Sequence, residues 1–167
     1  MKELLLGCGS RTNKDLSIGG KEFINVVRLD NNADHNPDVI HDLNTHPLPF
    51  IDNEFDEIHA YDVLEHLSSQ GDYKFFFREF GEYARILKPN GRMMVSVPSE
   101  TSKWAWGDPS HTRVFSKQWL TYLRQDAYDK VGKTQISDFR SIYRADFHTV
   151  YMHETEDKLY FILEVKK

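Results

Sequence analysis

The chain has 167 residues, with 21 Lys and Arg against 26 Asp and Glu and a formal net charge of −5. That length suits one domain, and 40% apolar with 28% charged residues excludes a disordered, collagen-like or disulfide-stapled chain. The single cysteine, Cys8, forms no internal bridge, no apolar run approaches the ~20 residues needed to cross a bilayer, and the acidic balance argues against a nucleic-acid partner. After Met1-Lys2-Glu3 only Leu4, Leu5 and Leu6 are apolar before Gly7, too few for the core of a signal peptide. A cytoplasmic location is therefore expected.

Taken in order, short apolar runs alternate with helical spacing, the pattern of an α/β layer architecture. Leu4-Leu5-Leu6 reads as a buried strand ending at Gly7-Cys8-Gly9. A second strand is predicted over 23–29, stopped by Asp30-Asn31-Asn32, and a brief third over 39–41, stopped by Asp42. A short helix is expected between the first two strands. A fourth strand is predicted over 55–61. Phe76, Phe80, Tyr83, Ala84 and Leu87 then share one face of a helix spanning about 72–87, with Lys88-Pro89-Asn90-Gly91 as its stop. A fifth strand follows over 92–97, closed by Pro98, and residues 99–112 read as a loop. Ser116 is placed to cap a helix through Trp119, Leu120 and Leu123. Residues 147–153 and 159–165 form an antiparallel hairpin. The predicted fold is a single domain over 1–167: a Rossmann-like, mostly parallel sheet with helices on both faces and a C-terminal antiparallel hairpin.

Three polar positions fall where a predicted strand has just ended: Asp30, Asp42 and the pair Tyr61-Asp62. In an open parallel sheet these ends line one edge, where ligands bind. Glycines at 7 and 9 let the backbone turn sharply and approach a ligand, and a carboxylate at the second strand end can bind a ribose diol. The full Gly-x-Gly-x-x-Gly fingerprint is not present, because Thr12 stands at its last position.

The chain resembles the class I S-adenosylmethionine-dependent methyltransferases, in particular the small type 11 branch. The resemblance is carried by Leu-Leu-Gly-Cys-Gly at 5–9, Val-Val-Arg-Leu-Asp at 26–30 and His-Asp-Leu-Asn at 41–44. Pro-Leu-Pro-Phe at 47–50, Phe-Asp-Glu-Ile-His-Ala at 55–60, Asp-Val-Leu-Glu-His-Leu at 62–67 and Arg-Ile-Leu-Lys-Pro-Asn-Gly-Arg at 85–92 complete it. It implies S-adenosylmethionine as cofactor, held at Gly7, Cys8 and Gly9. Asp30 would bind the ribose hydroxyls, Asn31 would lie beside the adenine, Asp42 would accept from its amino group, and Leu43 would pack on the ring. Tyr61, Asp62 and His66 would lie toward the methionine end. Two departures stand out: Leu5 replaces the acidic residue often found two positions before the first glycine, and Arg11 replaces a third glycine.

The resemblance also implies methyl transfer to an O or N atom of a small-molecule, sugar or lipid-linked acceptor. A general base for such an acceptor is sought among His111, Asp62 and His66, with His111 first. Trp104 and Trp106 are expected to anchor their own loop, and Arg113 to pair with a surface carboxylate. No histidine pair at metal-ligand spacing on a helix and no cysteine cluster is visible, so no metal is expected. A catalytically silent S-adenosylmethionine-binding or scaffold domain is the alternative reading, and a nicotinamide-dependent oxidoreductase a weaker one. Composition and spacing leave the oligomeric state open.

Overall fold

The computed structural model describes all residues from 1 to 167. Its strands are β1 (Glu3–Leu6), β2 (Val26–Asp30), β3 (Val39–Ile40), β4 (Phe55–Tyr61), β5 (Leu87–Pro98), β6 (Phe147–Glu154) and β7 (Lys158–Val165). They form one sheet in the order β3-β2-β1-β4-β5-β7-β6. The first five run parallel to one another, and β7 and β6 close the sheet antiparallel. Strand order reverses at β1 and β4, which opens a crevice at their carboxyl ends.

Alternation along the strands separates the two faces. Leu4, Leu6, Ile58, Ala60, Met93, Val95, Phe161 and Leu163 point into a core of 31 buried residues. That core is roofed by the helix α1 (Tyr73–Ile86), whose Phe76, Phe80 and Tyr83 are buried. Asp72 caps α1 by accepting from the Phe75 N–H at 3.0 Å. The helix ends where Leu87 turns extended, ahead of Pro89, as its stop signal predicts. The strand name β5 takes in the predicted turn at 88–91, but the pairing with β4 breaks there: Phe55 faces Leu87, and Glu57 faces Arg92. Asn90 has φ 60°, the left-handed conformation of a turn.

The second face is different. Its apolar cluster is small: Leu5, Cys8, Tyr61, Met94 and Ile162 are buried together there, with Leu16, Phe23 and Val26 packed on them. The short helix expected between β1 and β2 is absent, and residues 7–25 cross this face as an irregular loop. Thr12-Asn13 and Gly19-Gly20 interrupt any helical period there. The second strand starts at Val26 instead of Phe23 because the Ile24 N–H donates to the Glu3 carboxylate at 3.0 Å, drawing the chain out of the ladder. The fold class is thus the one expected, with a loop in place of helical cover on this face.

After β5 a five-residue helix, α2 (Lys103–Gly107), occupies part of the predicted loop, capped by Ser102. The segment expected to be helical from Ser116 is a 3-10 helix, Lys117–Leu123, and a second one, Gln125–Lys130, follows at once. Both are the tighter i→i+3 turn that serves as a connector between longer elements.

Candidate active site

The Gly7-Cys8-Gly9 turn leaves β1 with Gly7 at φ 55° and Gly9 at φ 47°. A Cβ at Gly7 would stand 2.6 Å from Val63 Cγ2, whereas nothing lies within 4 Å of one at Gly9. Gly7 therefore serves close packing, and Gly9 leaves its outer side free. Cys8 between them is buried and packs in the second-face cluster, and burial pushes its thiol above the ordinary value, away from the reactive thiolate.

Asp30, at the end of β2, is 6% exposed. Its Oδ2 accepts from the Gly9 N–H at 2.8 Å and lies 3.2 Å from His35 Nδ1, while Oδ1 accepts from the Asn32 N–H at 2.9 Å. Burial raises this carboxyl, but the Asn32 and Gly9 donors together with His35 outweigh it and hold Asp30 below the usual carboxylate range. Asp30 is thereby the clamp that sets the glycine turn against β2. Arg28 reinforces it with a 3.0 Å bond to the Gly9 carbonyl. Asn31 is exposed beside the clamp.

Asp42 is exposed and accepts from the Asn44 N–H at 2.9 Å, forming a turn that buries Leu43. Asn44 Oδ1 in turn accepts from the Ser68 N–H at 2.7 Å, which ties the β3 end to the segment after β4. Tyr61 is spent on packing: its hydroxyl donates to the Leu16 carbonyl at 2.6 Å and its ring lies under the loop on the second face. Asp62 follows at φ 58°, an unusual conformation for a residue with a Cβ. Its Oδ2 is 2.6 Å from Lys158 Nζ and 3.8 Å from Arg11 Nη2. Arg11, where a third glycine is common, thus links the glycine turn to the β4 end.

The 3-10 turn Leu64–His66 meets the loop after α2. Thr112 and Arg113 N–H groups both donate to the Glu65 carbonyl, at 3.0 and 3.2 Å. Arg113 Nε donates to the Leu64 carbonyl at 2.6 Å. These bonds bring His111 beside His66, with ring centroids 4.7 Å apart. They also set His111 Nε2 3.9 Å from Glu65 Oε1 and 3.8 Å from Asp108 Oδ2. Both Glu65 carboxylate oxygens and His111 Nδ1 are buried with no hydrogen-bond partner. Burial, reinforced by nearby Asp62, pushes the Glu65 carboxyl up to about 8. The sequence reading assigns Glu65 no role; its place between Asp62 and His66 in a strand-end turn is the one signal that points to it.

Two expectations are corrected here. Arg113 pairs with the buried Glu79 of α1, its Nη2 lying 3.0 and 2.9 Å from the two carboxylate oxygens, and not with a surface carboxylate. Trp104 and Trp106 are 55% and 74% exposed, so they do not anchor their loop; the buried residue between them is Ala105. Trp104 lines a cavity of about 290 Å³ with Asp62, Glu65, Pro98, Asp157 and Lys158. A second cavity of about 360 Å³ lies between the start of α1 and the 3-10 helix Lys117–Leu123, where Phe76, Trp119, Tyr122 and Phe139 meet Arg113.

Comparison with known proteins places this arrangement. A family model for a methyltransferase domain matches residues 5–95, more than half of the chain. Among solved structures, an S-adenosylmethionine-dependent methyltransferase from Archaeoglobus fulgidus is similar with a TM-score of 0.59 at 14% identity, covering 98% of this chain and 86% of that one. A putative methyltransferase from Haloferax volcanii, in complex with the Trm112 activator, has a TM-score of 0.59 at 17% identity over 99% and 82% of the two chains. The N-methyltransferase NodS from Bradyrhizobium japonicum, in complex with S-adenosyl-L-homocysteine, has a TM-score of 0.54 at 12% identity over 99% and 78%. No curated protein matches by sequence. The residues present fit S-adenosylmethionine: the outer side of Gly9 is open, and Asp30 Oδ1, with one donor bound, keeps a lone pair for a hydroxyl. The chain belongs to the methyltransferase domain family and is a class I S-adenosylmethionine-dependent methyltransferase of the type 11 branch.

Proposed function

We propose that the protein transfers a methyl group to an O or N atom of a small-molecule, sugar or lipid-linked acceptor. The observation that carries this reading is the convergence of Gly9, Asp30 and Asp62 on one sheet edge, directly beside the cavity that Trp104, Glu65 and Lys158 line. Bound S-adenosylmethionine supplies a methyl group on a sulfonium, already an electrophile. The residues of the chain therefore have mainly to hold the acceptor in line, and positioning of this kind supplies roughly 7–11 kcal/mol in favourable systems.

Gly7, Cys8 and Gly9 give the backbone approach, Asp30 holds ribose hydroxyls, and Asn31, Asp42 and Leu43 flank the base. Asp62, fixed by Lys158 at 2.6 Å, orients the acceptor. His66, in the turn after β4, and His111, in the loop after α2, stand side by side behind it. Tyr61 contributes from underneath, by holding residues 10–25 over the second face. An acceptor with an apolar or planar part finds aromatic surface at Trp104. Incubation with methyl-labelled cofactor and a cell extract tests the reading. Label is expected in the low-molecular-mass or lipid-extractable fraction and reduced at least about tenfold by Asp62→Asn, the loss of one charged hydrogen bond. Label confined to protein or nucleic acid would refute the acceptor class.

A further inference from the structure

Four carboxylates are buried in this fold, and three of them have donors. Glu3 is 2.5 Å from Lys14 Nζ, which also approaches Glu57 at 3.5 Å. Asp30 accepts from two backbone N–H groups. Glu79 takes Arg113 at 2.9 Å and the Tyr83 hydroxyl at 3.0 Å. Glu65 is 2% exposed, and neither of its oxygens has a partner. The cations nearest to it are already engaged: Lys158 with Asp62 and Arg113 with Glu79. A carboxylate buried without a donor is costly, and its immediate neighbours are two imidazoles.

The ligand atoms of Glu65, His66 and His111 lie within 4.8 Å of one another. His66 Nδ1 is 3.2 Å from the Ser110 carbonyl, so an N–H there leaves Nε2 with its lone pair, the arrangement that orients metal-binding histidines. Asp108 Oδ2, 3.8 Å from His111 Nε2, stands within reach as a further oxygen. The cluster Glu3, Glu57 and His59 is similarly compact but already holds the Lys14 ammonium. The two clusters therefore differ in whether the chain provides its own cation.

We propose that Glu65, His66 and His111 form a binding site for one divalent first-row transition-metal ion. One carboxylate and two imidazoles suit zinc, iron, cobalt or manganese more than the all-oxygen cations calcium and magnesium. Three protein ligands leave coordination positions open toward the cavity that Glu65 lines beside Asp62 and Trp104. The ligand that completes them is an oxygen donor of the methyl acceptor; this point alone rests on the methyl-transfer reading, and cation binding does not.

The test is titration of the tag-free, chelator-treated full chain with cobalt(II), without cofactor or acceptor, followed by calorimetry and by the visible absorption of the bound ion. One saturable site per chain is expected, displaced by zinc(II), with affinity at least tenfold lower in Glu65→Gln, His66→Ala and His111→Ala and unchanged in His153→Ala. Glu65→Gln keeps the side-chain shape while removing a buried charge, so it folds and carries the test even where a histidine variant does not. Absence of saturable binding at millimolar cobalt(II), zinc(II) and manganese(II), or binding indifferent to Glu65→Gln, would overturn the site. Glu65→Gln is expected to raise the melting temperature of the metal-free protein and to remove the further rise that cobalt(II) gives the parent chain; an equal cobalt(II)-induced rise in both proteins would overturn the site. Binding of S-adenosyl-L-homocysteine, measured separately, reports on the methyl-transfer reading whichever way the titration falls.

Discussion

Two residues at the glycine turn separate packing from ligand approach. Gly7→Ala puts a methyl 2.6 Å from Val63 at a backbone angle that costs a side chain roughly 1–2 kcal/mol by itself, so a loss of about 2–4 kcal/mol is expected once overpacking is included. Thermal melting of Gly7→Ala and of Gly7→Ala with Val63→Ala divides the two causes, because the double variant relieves the clash and keeps the angle. Asp30 adds a pH signature. Its folded pKa lies below the unfolded value, so its contribution is fully present above the ordinary carboxylate pKa and is lost as pH falls through the folded one. Asp30→Asn is expected to flatten the acid limb of the stability curve below about pH 4. An unchanged acid limb would show that the Gly9 and Asn32 bonds do not stabilise the anion. The sequence marked Asp30 as a ligand residue by its place at a strand end. That it also clamps the glycine turn required the register of β1 on β2, which spacing does not report.

At the scale of elements, the loop after α2 and the turn after β4 are held as one unit by Arg113 and Glu79. Removing one partner leaves a buried charge, so Glu79→Leu is expected to cost about 3–5 kcal/mol, while Glu79→Leu with Arg113→Met costs far less. Equal destabilisation in the single and double variants by chemical denaturation would contradict this. The elements themselves were readable wherever periodicity is strong. Strand β4 occupies its predicted residues and α1 falls within one residue of prediction at each end, because Phe76, Phe80 and Tyr83 recur on one face between unambiguous signals. The 3-10 character of Lys117–Leu123 was not readable, since Trp119, Leu120 and Leu123 satisfy either helix and chain direction decides. The meeting of Glu65 and His66 with His111 was hidden for the same reason that Arg113 was assigned to the surface. Both depend on how the loop after α2 folds back, and the sequence carries no period for that.

The whole molecule is asymmetric about its sheet. One face carries the 31-residue core and α1, the other a five-residue cluster beneath an irregular loop. Amide exchange should therefore divide the chain, with α1 and β5 slowest and residues 10–25 opening first. Uniform protection across both faces would contradict it. That loop, pinned by Tyr61 and bound through Arg11 to Asp62, borders the edge proposed to hold the cofactor, so ligand should slow its exchange. The account stands on that edge being a cofactor site. The direct measurement is calorimetric titration of the full chain and of Asp30→Ala with S-adenosyl-L-homocysteine. One saturable site is predicted, weakened more than about tenfold by Asp30→Ala through loss of a charged hydrogen bond. No binding at millimolar ligand, or equal affinity in the two proteins, would contradict it.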